Sequence, residues 1–509
     1  MTIDIIIIIV YLVAMLAFGF WGKTRTKNSS DFLVAGRRLG PGFYTGTMAA
    51  VVLGGASTVG GVGLGYTYGI SGMWLVVAIA VGIILLSLFF AGPIQRLKVY
   101  TVAQMLQLRY GVNATSASGI VMAMYTLMLT VTSTIAYATI FNVLFGTPRP
   151  VSIAIGAAIV IIYSSIGGMW SITLTDMVQF IIKTIGVFFL LLPFAWFGAG
   201  GIDGIMERLG DAAPSYFDLG TIGVDTIVTY FVIYSFGMLI GQDIWQRVFT
   251  ARTPRVARWG GTAAGVYCLL YGVAGALIGT AAAVLLTDGE AKDDAYAAIA
   301  EKVLPVGLSG IVLAAAVAAM MSTASGALIA CATVTRADVV PFLSRLLKRS
   351  EADGAEGGNP EHEMRANRIY VVAIGVLATV IAMALSDVVT ALTIAYDILV
   401  GGLLVPILGG FVWKRATGAG ALAAMGAGTL ATLVTMAFTD VLANEPIYVG
   451  LGASLAVYIA VSLMTPRTPV AVLEIWDGRL AGTTVAESDD PLRAVHSQAI
   501  DIVTERSDG

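Results

Sequence analysis

Apolar runs of about 20 residues, each long enough to cross a hydrocarbon core of about 30 Å as a helix, recur along nearly the whole chain between short polar stretches. In lipid every backbone N–H and C=O must be satisfied internally, so this pattern predicts an all-α integral membrane protein. About thirteen transmembrane helices are expected, at roughly 3–22, 41–69, 73–95, 113–145, 149–169, 173–197, 223–247, 259–287, 307–335, 369–386, 388–412, 416–438 and 446–465. They are numbered spans 1 to 13 below.

Span 2 breaks the pattern. Its segment VVLGGASTVGGVGLGYTYG places six glycines between Gly54 and Gly65, and each costs a helix interior about 1 kcal/mol relative to alanine. The GGVGLG within it is not a dinucleotide loop, which needs a preceding strand and a soluble βαβ unit. Small residues also permit close helix packing, but the cluster exceeds what one contact needs. A broken helix at membrane depth is tolerated where freed backbone lines a cavity, as in transporters built from inverted repeats. Such a repeat predicts a second interrupted span five helices later, and FVIYSFGMLIGQDIWQR in span 7 supplies Gly237 and Gly241. The expected organisation is a 5+5 inverted-repeat core with a broken first helix in each repeat. Residues 1–40 hold the first helix and a loop, 41–197 the first repeat and 198–412 the second. Two further helices follow over 413–465, then a polar tail over 466–509.

Composition narrows the function classes. Hydrophobic residues make up 57% of the 509 and charged ones 12%, against about 25% charged in soluble domains. A net charge of −3 without a basic arm argues against nucleic acid. Cys268 and Cys331 fall in apolar spans and read as packing residues, while His362 and His496 lie in polar segments, leaving no intramembrane histidine for a proton relay or zinc. Span 1 lacks a basic n-region and a small-residue cleavage site, so it reads as a retained helix. Basic residues cluster in alternate loops, including KTRTKNSSDFLVAGRR, QRLKVY, RVFTARTPRVAR and WKR, and the opposite set is acidic. That asymmetry predicts a multi-pass protein of the cell membrane with its amino terminus outside and its carboxy terminus in the cytoplasm. The tail and the loop over 350–367 read as solvated, mobile chain, too small for a catalytic domain. No enzymatic activity and no obligate protein partner are expected.

Several phrases resemble the sodium:solute symporter family: SSDFLVAGRRLGPG, YTVAQMLQLRYG, GGMWSITLTDMVQ, GQDIWQRVFTA, AAMMSTASGALIACAT and GGFVWKRATGAGA. They occur in the family's order from residue 30 to about 420. The resemblance implies the leucine-transporter-type fold and sodium-coupled import of a small organic solute by alternating access. A proton-coupled symporter of the same fold and a transporter-like sensor are the alternatives, and a passive channel fits two broken helices less well.

Sodium prefers oxygen ligands. Ala319, Ser322 and Thr323 stand at i, i+3 and i+4 on one face of span 9. The resemblance implies a sodium site made of the carbonyls of Ala56, Val59 and Ala319 and the hydroxyls of Ser322 and Thr323. The competing role for the two hydroxyls is back-bonding to the preceding turn. Asp176 matches a family aspartate associated with a second sodium or its release path, which Ser325 could join. Gly326 stands where two-sodium members carry another hydroxyl, which favours one sodium per cycle. Asp397 is the most deeply placed carboxylate, a candidate for coupling or for a structural hydrogen bond to freed backbone. Asp243 and Arg247, at i and i+4, suggest a helix-surface ion pair or gate.

The solute is expected between the breaks of spans 2 and 7, with spans 4, 9 and 11 around it. Thr58, Gly61, Tyr137, Tyr234, Gly237, Gln242 and Tyr396 are the candidate lining residues. Val52 and Gly241 stand where an aromatic cage for a quaternary amine would be needed, which disfavours choline, and few amides or acids are available for a sugar. A short monocarboxylate or an amino acid fits better, its carboxylate facing a half-helix amino terminus with no buried arginine to hold it.

Overall fold

A computed structural model describes residues 2–286, 291–346, 360–385 and 388–483. Among these residues the regular secondary structure is helical, apart from one isolated bridge pairing Leu39 with Ala251. Ten helices are long and apolar enough to cross a membrane, and the bent pair Val224–Ile240 and Gln242–Thr250 makes an eleventh. Two of the ten are too long for one crossing: Ala56–Arg96 has 41 residues and Arg149–Gly198 has 50, the latter about 75 Å if straight. The first is divided at Gly69 (φ +61°) and the second at Gly168 (φ +56°). At both, a side chain would also collide with backbone, Tyr216 O at 2.1 Å and Phe32 O at 2.5 Å. Divided there, the helices come to about the thirteen crossings expected.

Burial separates a core from a periphery. In span 9, Leu308–Ser344, 94% of the most apolar window is buried, and span 11, Val388–Val412, reaches 83%. The corresponding share is 28% for span 1 (Ile3–Lys23), span 12 (Gly418–Phe438) and span 13 (Glu445–Met464). Span 9 therefore reads as apolar on every side because it is surrounded by protein, whereas the peripheral helices present one face to lipid.

The polar tail differs from expectation in part. Residues Val470–Ala481 form a helix with Trp476 buried against Phe411. Arg96, at the end of span 3, donates to the carbonyls of Leu480 and Ala481. An aromatic anchor and a capping arginine hold this segment, so it is docked rather than mobile. His496 and the stretch 347–359 lie outside the described residues.

Candidate functional site

Span 2 is helical over Pro41–Val52, leaves the helix at Leu53 (φ −92°, ψ +78°), then resumes as a π-helical turn over Ala56–Gly60 and an α-helix over Gly61–Tyr68. A helix end frees the carbonyls of the turn before it. Those carbonyls meet span 9: Thr323 Oγ1 donates to Val51 O at 2.7 Å, and Ser322 Oγ has Ala50 O at 2.7 Å and Ala319 O at 2.9 Å within reach. A Cβ on Gly54 would stand 2.5 Å from Thr323 Oγ1, so glycine at the break is what lets the two elements approach.

The carbonyls expected to bind sodium and those that the hydroxyls bond fall on opposite sides of the break. Ala56 and Val59 lie downstream of it, inside the π-helical turn, so the hydroxyls bond oxygens about one turn earlier in the chain. Ala56 still lines the small cavity beside Thr323, and Val59 is fully buried. A third group completes the cluster: Lys183 of span 6 donates from Nζ to Ala50 O (3.0 Å), Leu53 O (3.1 Å) and, at the long end, Ser322 Oγ (3.4 Å).

Span 7 breaks at Gly241, whose extended backbone (φ −63°, ψ +131°) separates two segments bent by 43°. Between the two breaks lies a cavity of about 20 Å³, room for roughly one water, so any solute requires side chains to move. Its polar lining is Ser57, Thr132, Ser133, Asp243, Thr323 and Tyr396, and its apolar walls include Ile79, Leu129, Met238 and Leu392. Span 3, through Ile79, joins spans 4, 9 and 11 around it.

Of the seven residues expected to contact solute, Tyr396 lines this cavity. Its ring packs on Gly237, where a Cβ would come within 2.2 Å of Tyr396 Cδ1. Gly237→Ala is therefore expected to push Tyr396 inward and lower solute uptake about tenfold, while sodium binding, read separately, stays unchanged. Tyr234 sits behind Tyr396, its OH 3.2 Å from Thr393 Oγ1 and the two rings 5.5 Å apart. Thr58 pairs with Tyr271 OH at 3.0 Å, and a Cβ on Gly61 would stand 3.4 Å from Val76. Tyr137 packs against Gly156 of span 5 and stacks on Phe141. Gln242 does not line this cavity: Oε1 accepts from Val102 N (2.7 Å) and Nε2 donates to Tyr100 O (3.0 Å). Both ends of its amide clamp the connection between spans 3 and 4.

The Asp243–Arg247 pair is corrected. Both residues are buried rather than on a helix surface, and they turn to different partners. Asp243 Oδ1 accepts from Tyr125 OH at 2.8 Å and faces the cavity. Arg247 Nη2 stands 3.0 Å from Asp176 Oδ2, and Thr47 Oγ1 donates to the same carboxylate oxygen. Arg247 is thus a buried arginine that sequence reasoning did not expect, and Arg109 is another, spent on the carbonyls of Gly410, Trp413 and Ala416. Ser325 back-bonds to Ser322 O at 3.1 Å, so it and Asp176 have separate partners. Asp397 is fully buried, and neither of its oxygens has a hydrogen-bond partner among the described residues. The hydrogen bond to freed backbone that was its structural alternative is not made.

Lys183 was missed altogether. The signal was one lysine in the apolar run VQFIIKTIGVFFLLL, which an average over hydropathy conceals.

Residues 32–428 match the model of the sodium:solute symporter family. The high-affinity proline transporter PutP of Bacillus subtilis (strain 168) is 25% identical over 486 residues, covering 90% of this chain and 98% of that one. The sodium/glucose cotransporter of Vibrio parahaemolyticus is 24% identical over 465 residues, covering 82% of each. Among solved structures, the substrate-bound outward-open state of a Na+-coupled sialic acid symporter superposes with a TM-score of 0.80 at 18% identity, covering 92% of this chain and 98% of that one, a likeness of fold.

Proposed function

The chain belongs to the sodium:solute symporter family, and we propose that it imports a small zwitterionic solute of the amino-acid type, one sodium ion per cycle. The observation that carries the choice of solute is Asp243, a buried carboxylate on the wall of the cavity between the two breaks. A solute ammonium would pair with it, and the solute carboxylate would face the amino-terminal end of the second half of span 2. A monocarboxylate would instead bring a second negative charge beside Asp243 in a space of low dielectric, where like charges repel strongly. The cavity has a single aromatic wall, Tyr396, which suits neither a quaternary amine nor a stacked sugar ring. The proline transporters among the relatives are compatible with this reading.

In this reading sodium joins the hydroxyls of Ser322 and Thr323 with carbonyls of the span 2 break. Asp176 already holds Arg247 and Thr47, which supports one ion rather than two. Alternation would move the two five-helix units, 41–197 and 198–412, about the site. The amino terminus would be outside and the carboxy terminus cytoplasmic, as the basic loops suggest.

The test is uptake of labelled amino acids, short monocarboxylates, sugars and choline into proteoliposomes under inward sodium, potassium or proton gradients. Accumulation of an amino acid under sodium alone is expected, with its KM raised at least tenfold in Asp243→Asn. Equal accumulation under potassium would overturn sodium coupling. Transport of acetate or propionate but of no amino acid would overturn the choice of solute.

A further inference from the structure

We propose that Lys183 is a tethered cation sharing one oxygen cage with the coupling sodium, so that sodium binds only as the ammonium withdraws. The inference rests on the sodium-symport reading for the identity of the competing ion. Lys183 is fully buried, inside the apolar helical segment that runs on to Gly198, where a charged group is costly unless partnered. An ammonium has three donors, and they are met by Ala50 O, Leu53 O and Ser322 Oγ. Its surroundings are those a small hard cation would choose. Two of the oxygens are carbonyls released by the break in span 2, the third is the hydroxyl expected to bind sodium, and all three are neutral.

Asp176 lies seven positions back on the same segment and is already paired with Arg247 and Thr47. The charge of Lys183 is therefore met by dipoles, as an ion's would be. Two cations cannot share such a cage: they would be within a few ångströms of each other in a space of low dielectric, competing for the same lone pairs. A lysine that only braced the break would behave differently. Its removal would loosen the carbonyls and weaken sodium, whereas removal of a competitor strengthens it.

The test is equilibrium binding of radioactive sodium to the purified full chain at one fixed pH, comparing the native protein with Lys183→Met and Lys183→Gln. Folding is checked by a monodisperse elution profile and by the thermal midpoint in potassium. Both variants should bind sodium at least tenfold more tightly than the native protein. The amide of the glutamine variant can still donate to the cage, so it keeps the readout if the methionine variant does not fold. Equal or weaker sodium affinity in the folded variants, or no sodium binding by any of the proteins, overturns the inference. The two readings fail separately. Tight sodium binding by the variants beside sodium-independent uptake by the native protein sinks sodium coupling and leaves the competition standing. Sodium-driven uptake with unchanged affinity in the variants does the reverse.

Discussion

Arg247→Met is expected to destabilise the fold by about 3–5 kcal/mol, the usual cost of leaving one member of a buried ion pair alone. Arg247 and Asp176 are both buried, 3.0 Å apart, and join the second half of span 7 to span 6. Thr47 ties span 2 to the same carboxylate. Span 9 makes room at Gly326, where a Cβ would stand 3.1 Å from Arg247 Nη2. Four core elements thus meet at one charge pair. Without the guanidinium, Asp176 keeps a single hydroxyl donor for a charge far from water. The double variant Asp176→Asn with Arg247→Met removes both charges and should recover most of the loss, because neutralised buried pairs are often nearly as stable as the originals. Thermal midpoints of the two single variants and the double variant, combined as a cycle, give the coupling. Additive losses would mean that the pair makes no shared contribution and that each residue acts through other contacts.

The same pair shows what sequence could and could not reveal. Spans and breaks were legible because they depend on local properties: apolar length sets the crossings, and Gly54 and Gly241 mark where helices end. Sequence distance suggested the partner of Arg247, since Asp243 lies one turn away. In the fold Tyr125 claims Asp243 from span 4, and Asp176 claims Arg247 from span 6, contacts that no local spacing encodes. The partners of Gln242 were hidden for a related reason. A polar residue beside a break looks available to a ligand until the loop that needs its amide is in place. The hydrogen-bond partners of the two hydroxyls follow a simpler rule: a helix that stops releases the oxygens behind the stop, so Ala50, Val51 and Leu53 are offered while Ala56 and Val59 enter the next turn. Lys183 was visible in the sequence but could be interpreted only once the oxygens around it were known.

Replacing Ser322 and Thr323 together with alanine is expected to raise the sodium concentration needed for half-maximal uptake by roughly a hundredfold. Hydrogen bonds and dipoles directed at a charged group contribute about 1.5–3 kcal/mol each, and each 1.4 kcal/mol is a factor of ten. The single substitutions should not be equal, because the two hydroxyls have different neighbours. When Ser322 is lost, Ala50 O retains Lys183 as a donor at 3.0 Å. When Thr323 is lost, Val51 O loses the hydroxyl that holds it at 2.7 Å, and the break loosens against span 9. Thr323→Ala should therefore lower the thermal midpoint more than Ser322→Ala, while both weaken sodium. Sodium titrations of uptake in the single and double variants, each with its thermal midpoint in potassium, separate these effects. Native sodium dependence in a folded double variant would remove the two hydroxyls from the ion site and leave backbone carbonyls to bind the ion without them.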